Sequence, residues 1–248
     1  MKTIKSKFLA MLALSALFVS QSCTDHGDPD PKTNISIHKD NTLGNILVDG
    51  KGNSLYFLEK DVTGTSNCSG GCATVWPIFY EEYLATGSGV EASLFATITR
   101  EDGNKQTTYK GCPLYRFAQD TNPGDLKGDN KNGFFAAKPD YTVFFANKGD
   151  GRYLVDAVGK TLYTFANDVD DVSNCKDGCT AVWPSFFFDP QVVPSPLALS
   201  NFGKLPRADG KQQTTFIKKA LYFFASDAGR GDKKGTAANA KFVVVSFQ

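Results

Sequence analysis

Short runs of alternating apolar and polar residues, separated by turns rich in Gly and Asp, continue along most of the chain after residue 43. In residues 45–58, NILVDGKGNSLYFL, two such runs flank an Asp-Gly pair, which is the pattern of a β-hairpin. Residues 97–117 predict three strands joined by an Asp-Gly turn and a Gly-Cys-Pro corner, and residues 140–147 and 241–248 predict closing strands. The pattern therefore predicts an all-β protein with minor short helices.

One short helix is predicted at CATVWP, residues 72–77, with Ser66 or Asn67 as its N-cap and Pro77 at its end. The chain also holds 20 phenylalanines. The aromatic residues stand mostly within the strand-like runs, where they are expected to build the core. The alternative for them is a platform on which a carbohydrate stacks.

The chain repeats itself at an offset of 107 residues. Between 46–79 and 153–186, 17 of 34 positions are identical without a gap, and the register continues until a short deletion near the end of the second copy. A match of this length indicates a tandem duplication. We therefore predict two homologous β-rich domains, at 43–148 and 150–248, and expect each of them to fold alone.

Each copy contains two Tyr-x4-Asp units, in which a strand-like run ends on an aspartate. The four units are Tyr56 with Asp61, Tyr115 with Asp120, Tyr163 with Asp168, and Tyr222 with Asp227. On a strand, a residue and the one two positions later share a face, so Tyr163 and Phe165 are predicted to enter the core together. The aspartate of each unit would then start the following turn by accepting backbone N–H groups. The functional alternative gathers carboxylates around a hard cation, and its candidates are Asp120, Asp125, Asp129, Asp168, Asp170 and Asp171.

The first 22 residues carry the pattern of an export signal. Three lysines precede FLAMLALSALFV, a run of 12 residues that is too short to span a bilayer, and Ser22 and Cys23 follow. We predict lipoprotein processing, with residues 1–22 as the signal peptide and a lipid on Cys23. The alternative is an ordinary signal peptide with an unrelated cysteine. Residues 23–42 are polar and lack apolar periodicity, which is typical of a flexible tether.

The signal peptide contains three of the 27 basic residues and none of the 26 acidic ones, which leaves a mature net charge of −2. Such a surface has no general attraction for nucleic acid, so no nucleic-acid partner is expected. The acidic residues Asp25, Asp28 and Asp30 resemble the surface-export signals of Bacteroidetes-type lipoproteins. The predicted location is the cell envelope of a Gram-negative bacterium, at the outer membrane or cell surface, held by the lipid anchor.

Two Cys-x3-Cys pairs stand at equivalent positions of the two copies: Cys68 with Cys72, and Cys175 with Cys179. In an exported protein the simplest interpretation is one disulfide within each pair, since a single ancestral copy had to be stable alone. The alternatives are a four-thiolate zinc site and a catalytic dithiol. Haem attachment is excluded because no histidine follows either pair. Cys112 has no counterpart and is predicted to be a buried thiol, with a reactive thiol as the alternative.

The two histidines of the chain, His26 and His38, both lie in the predicted tether. The body therefore cannot build a Ser-His-Asp triad, a Cys-His pair or a histidine-based metal centre. Paired carboxylates of the glycosidase type remain open. The prominent aspartates, however, stand beside Gly, Asn or Ser, where a turn accounts for them. No catalytic residue and no cofactor are predicted.

Several repeated motifs together resemble the bacterial secreted-repeat lipoproteins that are named for their Tyr-x4-Asp motif: Tyr-x-aromatic-x-x-Asp, Ser-x-Cys-x3-Cys-Ala-x-x-Trp-Pro, Arg-x-Asp-Gly-x-x-Gln and Pro-Leu-Tyr. The resemblance covers residues 46–248 and implies an exported, lipid-anchored repeat protein without an established biochemical role. The chain departs from the pattern at Leu58, Thr180 and 218–222. The departures in the second copy suggest that it has lost a feature that the first retains.

We therefore expect a non-enzymatic envelope lipoprotein whose paired domains bind a protein or glycan partner or organise the cell surface. The first alternative is an accessory role in envelope redox or electron-transfer chemistry, argued from the exported cysteines and the many aromatic residues. The second alternative is an aspartate-based hydrolase.

Overall fold

The computed structural model describes residues 33–247. The predicted signal peptide and Cys23 with its lipid lie outside the described residues, as does the predicted tether up to residue 32. Within the described range, no helix is long and apolar enough to cross a membrane.

Strands make up most of the regular structure, as the alternating pattern predicts, and they fall into two series. The first series is β1 (Ile35–Asp40), β2 (Gly44–Asp49), β3 (Tyr56–Leu58), β4 (Phe95–Thr99), β5 (Lys105–Tyr109), β6 (Cys112–Pro113) and β7 (Phe134–Ala136). The second series is β8 (Val143–Asn147), β9 (Arg152–Asp156), β10 (Tyr163–Phe165), β11 (Phe202–Pro206), β12 (Gln212–Phe216), β13 (Lys219–Ala220) and β14 (Phe242–Val244), and β15 (Ser246–Phe247) follows it. The prediction of an all-β protein is confirmed.

The two series pair in the same way, and every pair is antiparallel. In the first series β1 pairs with β2, β3 pairs with β7, and β4, β5 and β6 form a three-stranded sheet. In the second series β8 pairs with β9, β10 with β14, and β11, β12 and β13 form the matching sheet. The terminal strand β15 adds to the other edge of β9. The duplication is thus two copies of one strand order, plus one additional strand.

Short helices accompany the strands, and two pairs of them, at 71–75 with 178–182 and at 92–94 with 199–201, occupy equivalent places in the two copies. The α-helices are α1 (Gly71–Val75), α2 (Gly178–Val182) and α3 (Gly235–Ala238), and the 3-10 helices are Glu59–Asp61, Ala92–Leu94 and Leu199–Asn201. The predicted helix exists, but its predicted N-cap is wrong, because Gly70 with φ +54° occupies that position without a side-chain cap. The side chains of Ser66 and Asn67 serve instead the hydrogen-bond network described below.

Each copy begins one strand earlier than predicted. The boundaries at 43 and 150 fall inside the first hairpin of each copy, since β1 and β8 precede them. The predicted tether is correspondingly shorter, because Ile35 is fully buried and pairs with Asp49, and His38 therefore belongs to a strand of the body. At the offset of 107, β1 and β8 share no identical residue, so their equivalence is visible only in the fold. Both are held by strand pairing and buried apolar side chains, which do not require identity.

The hydrophobic core is shared by the two copies. The largest cluster contains Leu47 of the first copy packed with residues such as Leu154 and Phe186 of the second. Two smaller clusters surround Trp76 in the first copy and Trp183 in the second. Because the main core draws on both copies, the body is one compact unit. This core therefore does not support the prediction that each copy folds alone.

Candidate functional site

The tyrosines of the two Tyr-x4-Asp units in each copy lie side by side in the interior. The backbone N–H of Tyr56 donates to the carbonyl of Tyr115 at 2.9 Å, and the N–H of Tyr115 donates back at 3.0 Å. Tyr163 and Tyr222 repeat this exchange, with both distances 2.9 Å. All four side chains are fully buried. The two units of one copy therefore meet as a short antiparallel pair.

In the first copy, each tyrosine donates its phenolic hydroxyl to the aspartate of the other unit. The hydroxyl of Tyr115 donates to Asp61 Oδ2 at 2.5 Å, and the hydroxyl of Tyr56 donates to Asp120 Oδ2 at 2.5 Å. The two bonds therefore cross between the units, so that neither tyrosine bonds the aspartate five residues after it.

The second copy repeats both crossed bonds. The hydroxyl of Tyr163 donates to Asp227 Oδ2 at 2.5 Å, and the hydroxyl of Tyr222 donates to Asp168 Oδ2 at 2.7 Å. Asp227 was predicted to act as a turn residue after Tyr222, but its main partner is the tyrosine 64 residues earlier in the chain. The tyrosine bond adds to the predicted turn role, because a buried phenolic hydroxyl needs an acceptor and Asp227, only 6% exposed, supplies it. The Tyr-x4-Asp repeat thus encodes two crossed hydrogen bonds per copy, which requires two units in each copy.

The second carboxylate oxygen of each aspartate closes a loop. In each case Oδ1 accepts the backbone N–H of a residue six or seven positions later in the chain. The bonds are Asn67 to Asp61 at 2.8 Å, Lys127 to Asp120 at 3.0 Å, Asn174 to Asp168 at 2.7 Å and Lys234 to Asp227 at 3.0 Å. The aspartates therefore accept backbone N–H groups, as the turn interpretation expected, but across wider loops than an Asx turn. Their tyrosine partners were not foreseen.

Burial raises the pKa of three of these carboxyl groups. Asp61 is 1% exposed, and desolvation raises its pKa to about 6, although the hydrogen bonds from Tyr115 and Asn67 act in the opposite direction. Burial also raises the pKa of Asp168 and of Asp120 above the ordinary value. The tyrosine hydroxyls stay protonated at neutral pH, because desolvation raises the pKa of Tyr115 as well. Each pair is therefore a neutral donor bonded to a buried acceptor.

A buried arginine extends the network in the first copy. Arg100 donates to Ser66 Oγ, to Gln106 Oε1 at 2.9 Å and to the carbonyl of Cys68 at 2.7 Å. Ser66 Oγ lies 2.6 Å from the hydroxyl of Tyr115, which connects the guanidinium to the tyrosine–aspartate pair. The Ser-x-Cys and Arg-x-Asp-Gly-x-x-Gln motifs therefore meet at one place in the interior.

The second copy repeats this arrangement with one difference. Arg207 donates to Ser173 Oγ at 2.8 Å, to Gln213 and to the carbonyl of Cys175 at 2.7 Å, and Ser173 Oγ lies 2.6 Å from the hydroxyl of Tyr222. Arg100 Nε donates to Asp102 at 3.3 Å, whereas Arg207 Nε lies 3.5 Å from Asp209 without a hydrogen bond. Apart from that nitrogen and Ser54 Oγ, the fully buried side-chain N and O atoms in the described part of the chain have partners.

Both Cys-x3-Cys pairs are disulfides in the structure. Cys68 is bonded to Cys72 and Cys175 to Cys179, with Cα–Cα distances of 5.3 Å and 5.4 Å. Bonded sulfurs cannot serve as the thiolates of a four-cysteine zinc site, so that alternative is not supported. Each bridge spans the start of a short helix that leads to a tryptophan. Trp76 stacks on Phe134 at 3.8 Å between ring centroids, and Trp183 stacks on its equivalent, Phe242, at 3.6 Å.

Five of the six aspartates proposed for a cation site bind protein groups, and the six do not form a metal-binding group. Asp120 and Asp168 belong to the crossed pairs. Asp125 accepts the N–H groups of residues 121 and 122 and the Lys127 ammonium, and Asp129 accepts the N–H of Ala136. Asp170 pairs with Lys219, and Asp171 is exposed with φ +56°. Among the described residues, no group of three or more His, Cys, Asp or Glu side chains could hold a metal ion.

Cys112 lies where the two copies meet and is partly exposed. Arg230 of the second copy places Nη2 3.1 Å from its sulfur, and also donates to the carbonyls of Val62, Lys110 and Val158 at 2.7–3.0 Å. Burial raises the pKa of the Cys112 thiol, although the arginine lowers it. Arg230 was not identified from the sequence, since no motif marks it. It ties three segments of the body together.

The network holds the fold together. Its donors and acceptors bind one another, and its long-range bonds join residues that lie 32–64 positions apart in the chain. The sequence carried one signal that could have revealed it: polar Ser, Arg and Gln residues recur at the offset of 107 within otherwise apolar or strand-forming segments. A repeated polar residue in a buried strand implies a repeated internal partner.

A family model described as a secreted repeat of unknown function matches residues 38–79, 96–137 and 145–186. The three segments together cover slightly more than half of the chain, and each contains one Tyr-x4-Asp unit. The first and third segments begin within β1 and β8, which agrees with the copy boundaries seen in the fold. No curated protein and no solved structure matches the chain.

Proposed function

Because the chain belongs to the family of secreted repeats of unknown function, we propose that it is a lipid-anchored protein of the cell envelope whose body is a rigid binding or scaffolding module, not an enzyme. The observation that carries the proposal is that the residues of the family motifs are occupied by one another. Their Tyr, Asp, Ser, Arg, Gln and Cys residues bind one another in the interior. Groups committed to internal partners stabilise a body and are not free to act on a substrate.

The anchor rests on the signal pattern and on the position of Cys23. Only nine residues separate Cys23 from Thr33, where the described body begins. Even fully extended, a stretch of that length reaches no more than about 36 Å, at about 3.6 Å per residue. A lipid on Cys23 would therefore hold the body close to the membrane surface. Lipoprotein anchors with more than one acyl chain give stable attachment.

The anchor is tested by replacing Cys23 with alanine and separating the membrane and soluble fractions of the cells. The variant Cys23→Ala should move to the soluble fraction. Cys112→Ala is the matched control, because Cys112 is the described cysteine outside the two disulfides, and it should stay with the membrane. Membrane association that is equal in parent and Cys23→Ala would contradict the proposal.

The proposed location at the outer membrane or cell surface needs a second measurement. Labelling of intact cells with a membrane-impermeant amine reagent should modify exposed lysines of the body, such as Lys211 and Lys218. Labelling that occurs only after the outer membrane is opened would place the body on the periplasmic side.

A further inference from the structure

Four phenylalanines line an open groove of about 730 Å³ in the second copy: Phe186, Phe187, Phe188 and Phe223. Phe187 and Phe188 follow α2, and their side chains are 42% and 52% exposed. Phe223 follows β13, and its backbone N–H donates to the carbonyl of Pro184 at 2.8 Å. Its ring meets that of Phe186 edge-on at 5.6 Å, which fixes the wall of the groove. Removing the apolar surface of aromatic side chains from water is favourable. A groove of this kind therefore favours a ligand that covers the exposed rings.

The same backbone positions are built differently in the first copy. Arg116 stands where Phe223 stands, and its N–H donates to the carbonyl of Pro77 at 2.8 Å, as Phe223 does to Pro184. The Arg116 side chain lies over the ring of Phe79 and donates Nε to Asp49 Oδ2 at 2.7 Å. The equivalent groove of the first copy is smaller, about 470 Å³, and is lined by Asp49, Arg116 and Glu81, so charged groups stand where the second copy has Phe188 and Phe223.

Asp156 is the second-copy equivalent of Asp49 and also lines the groove. Both carboxylates use Oδ1 for two backbone N–H groups of the following turn; for Asp156 these are Val158 at 3.0 Å and Lys160 at 2.8 Å. Among the described residues, no side chain takes the place of the arginine at Asp156 Oδ2. The substitution of arginine by phenylalanine thus creates an aromatic wall and releases a carboxylate oxygen at the same time.

The remaining lining residues are mostly polar and include Thr180, Asp209, Lys211 and Gln212. Lys160 adds a second cation, with Nζ 5.8 Å from the centre of the Phe223 ring. Two carboxylates and two ammonium groups, with Arg207 beside Asp209, give the groove charges of both signs without a strong excess of either. The groove therefore offers flat apolar rings flanked by donors and acceptors of both kinds, which suits a neutral ligand rich in hydroxyl groups.

We propose that this groove binds a neutral glycan chain. A pyranose presents flat C–H faces, which pack on aromatic rings, and a rim of hydroxyl groups, which bond carboxylates, amides and ammonium groups. A purely apolar peptide leaves Asp156 Oδ2 without a partner, and such an unpaired polar group opposes binding. The inference rests on the binding role proposed above and names its ligand class.

The test uses the protein purified in a detergent without a sugar headgroup. Cellohexaose, laminarihexaose and chitohexaose are titrated separately and binding is followed by calorimetry. At least one of them should bind saturably. Phe187→Ala should weaken that binding about tenfold, since it removes one stacking ring. Phe223→Arg should weaken it at least as much, because the new arginine can pair with Asp156 as Arg116 does with Asp49.

Tyr80→Ala is the matched control, because Tyr80 is the first-copy equivalent of Phe187, and it should leave the affinity unchanged. All variants should unfold within about 2 °C of the parent, a shift that corresponds to about 0.5–1 kcal/mol for a chain of this size. Cys23→Ala should bind the oligosaccharide as the parent does, so the anchor and the groove are judged by separate results.

Two results would overturn the inference. The first is a folded protein that binds none of the three hexasaccharides, or that binds one equally well after Phe223→Arg. The second is a parent protein that dimerises in sedimentation experiments and becomes monomeric with Phe187→Ala, because the groove would then be an interface between two copies of the chain.

Discussion

A double-mutant cycle can decide whether the Tyr-x4-Asp motif acts within one unit or between two. Tyr115 and Asp120 belong to the same unit, five residues apart, whereas Tyr115 and Asp61 are 54 residues apart and share a hydrogen bond of 2.5 Å. The cycle combines Tyr115→Phe with Asp61→Ala in one arm and with Asp120→Ala in the other. Crossed pairing predicts a coupling free energy in the first arm only.

The structure gives the size of the expected coupling. Tyr115 is fully buried and Asp61 is 1% exposed, so neither group recovers its lost partner from water. A hydrogen bond to a charged group contributes about 1.5–3 kcal/mol to stability, and we expect a coupling of this size between Tyr115 and Asp61. Asp120 accepts hydrogen bonds from the hydroxyl of Tyr56 and the N–H of Lys127. The hydroxyl of Tyr115 bonds neither of these groups. Without a shared partner, the second arm should be additive to within about 0.5 kcal/mol.

The measurement is urea unfolding at pH 7, followed by tryptophan fluorescence. The chain has two tryptophans, one in the cluster of each copy, so both halves of the body report on the transition. Equal urea dependence in all variants would show that the extent of unfolding is unchanged. The corresponding cycles in the second copy, Tyr222→Phe with Asp168→Ala and Tyr163→Phe with Asp227→Ala, should give a similar coupling. A coupling of Tyr115 to Asp120 that equals or exceeds its coupling to Asp61 would refute the crossed arrangement.

Two further predictions concern pH and the division of the chain. Burial raises the pKa of Asp61 to about 6, so the folded state keeps a proton that the unfolded state loses near pH 4. The stability that comes from this difference in proton binding is complete below about pH 4 and is lost as the pH rises through 6. Asp61→Asn does not titrate, so its unfolding free energy minus that of the parent should increase by up to about 3 kcal/mol between pH 4 and pH 7, as measured by urea titrations at each pH. A difference that stays constant with pH would contradict the assigned burial effect. Fragments 33–140 and 141–248 should each bind a hydrophobic dye and lack sharp unfolding, but should form a one-to-one complex on mixing, because the largest core cluster contains residues of both. Cooperative unfolding of either fragment alone would show that the shared core is dispensable.

Local features of the fold were predictable because their signals are local. Asp-Gly turns between alternating runs mark the strands around 45–58 and 97–117 correctly, and the Cys-x3-Cys spacing indicates a bridge that needs no distant partner. The duplication predicts that whatever one copy forms, the other repeats. The strands β1 and β8 escaped this reasoning, because the equivalent positions hold different residues that satisfy the same pairing.

The candidate network was not predictable in the same way, because its bonds join distant parts of the chain. A spacing of five between Tyr and Asp shows that both are needed, but it contains no information about which aspartate receives which hydroxyl. Asp227, for example, follows Tyr222 in the sequence but accepts the hydroxyl of Tyr163. The Arg100 guanidinium likewise reaches Ser66 and Cys68, more than 30 residues earlier. Such partners are selected by burial, because an unpaired polar group in the core costs free energy, and burial is a property of the assembled body.

The distribution of repeated and unrepeated residues separates fold from function. Residues that recur at the offset of 107, such as Asp61 with Asp168 and Arg100 with Arg207, lie in the interior and make the same bonds in both copies. A substitution in either set leaves a buried group unpaired, so both copies must keep them. The pair Arg116 and Phe223 is different, because the backbone bond to the preceding proline carbonyl is retained while the side chain changes from a cation to an aromatic ring. A duplicated body can change such a surface position in one copy at little cost to stability, and these positions are therefore where a binding specificity can arise.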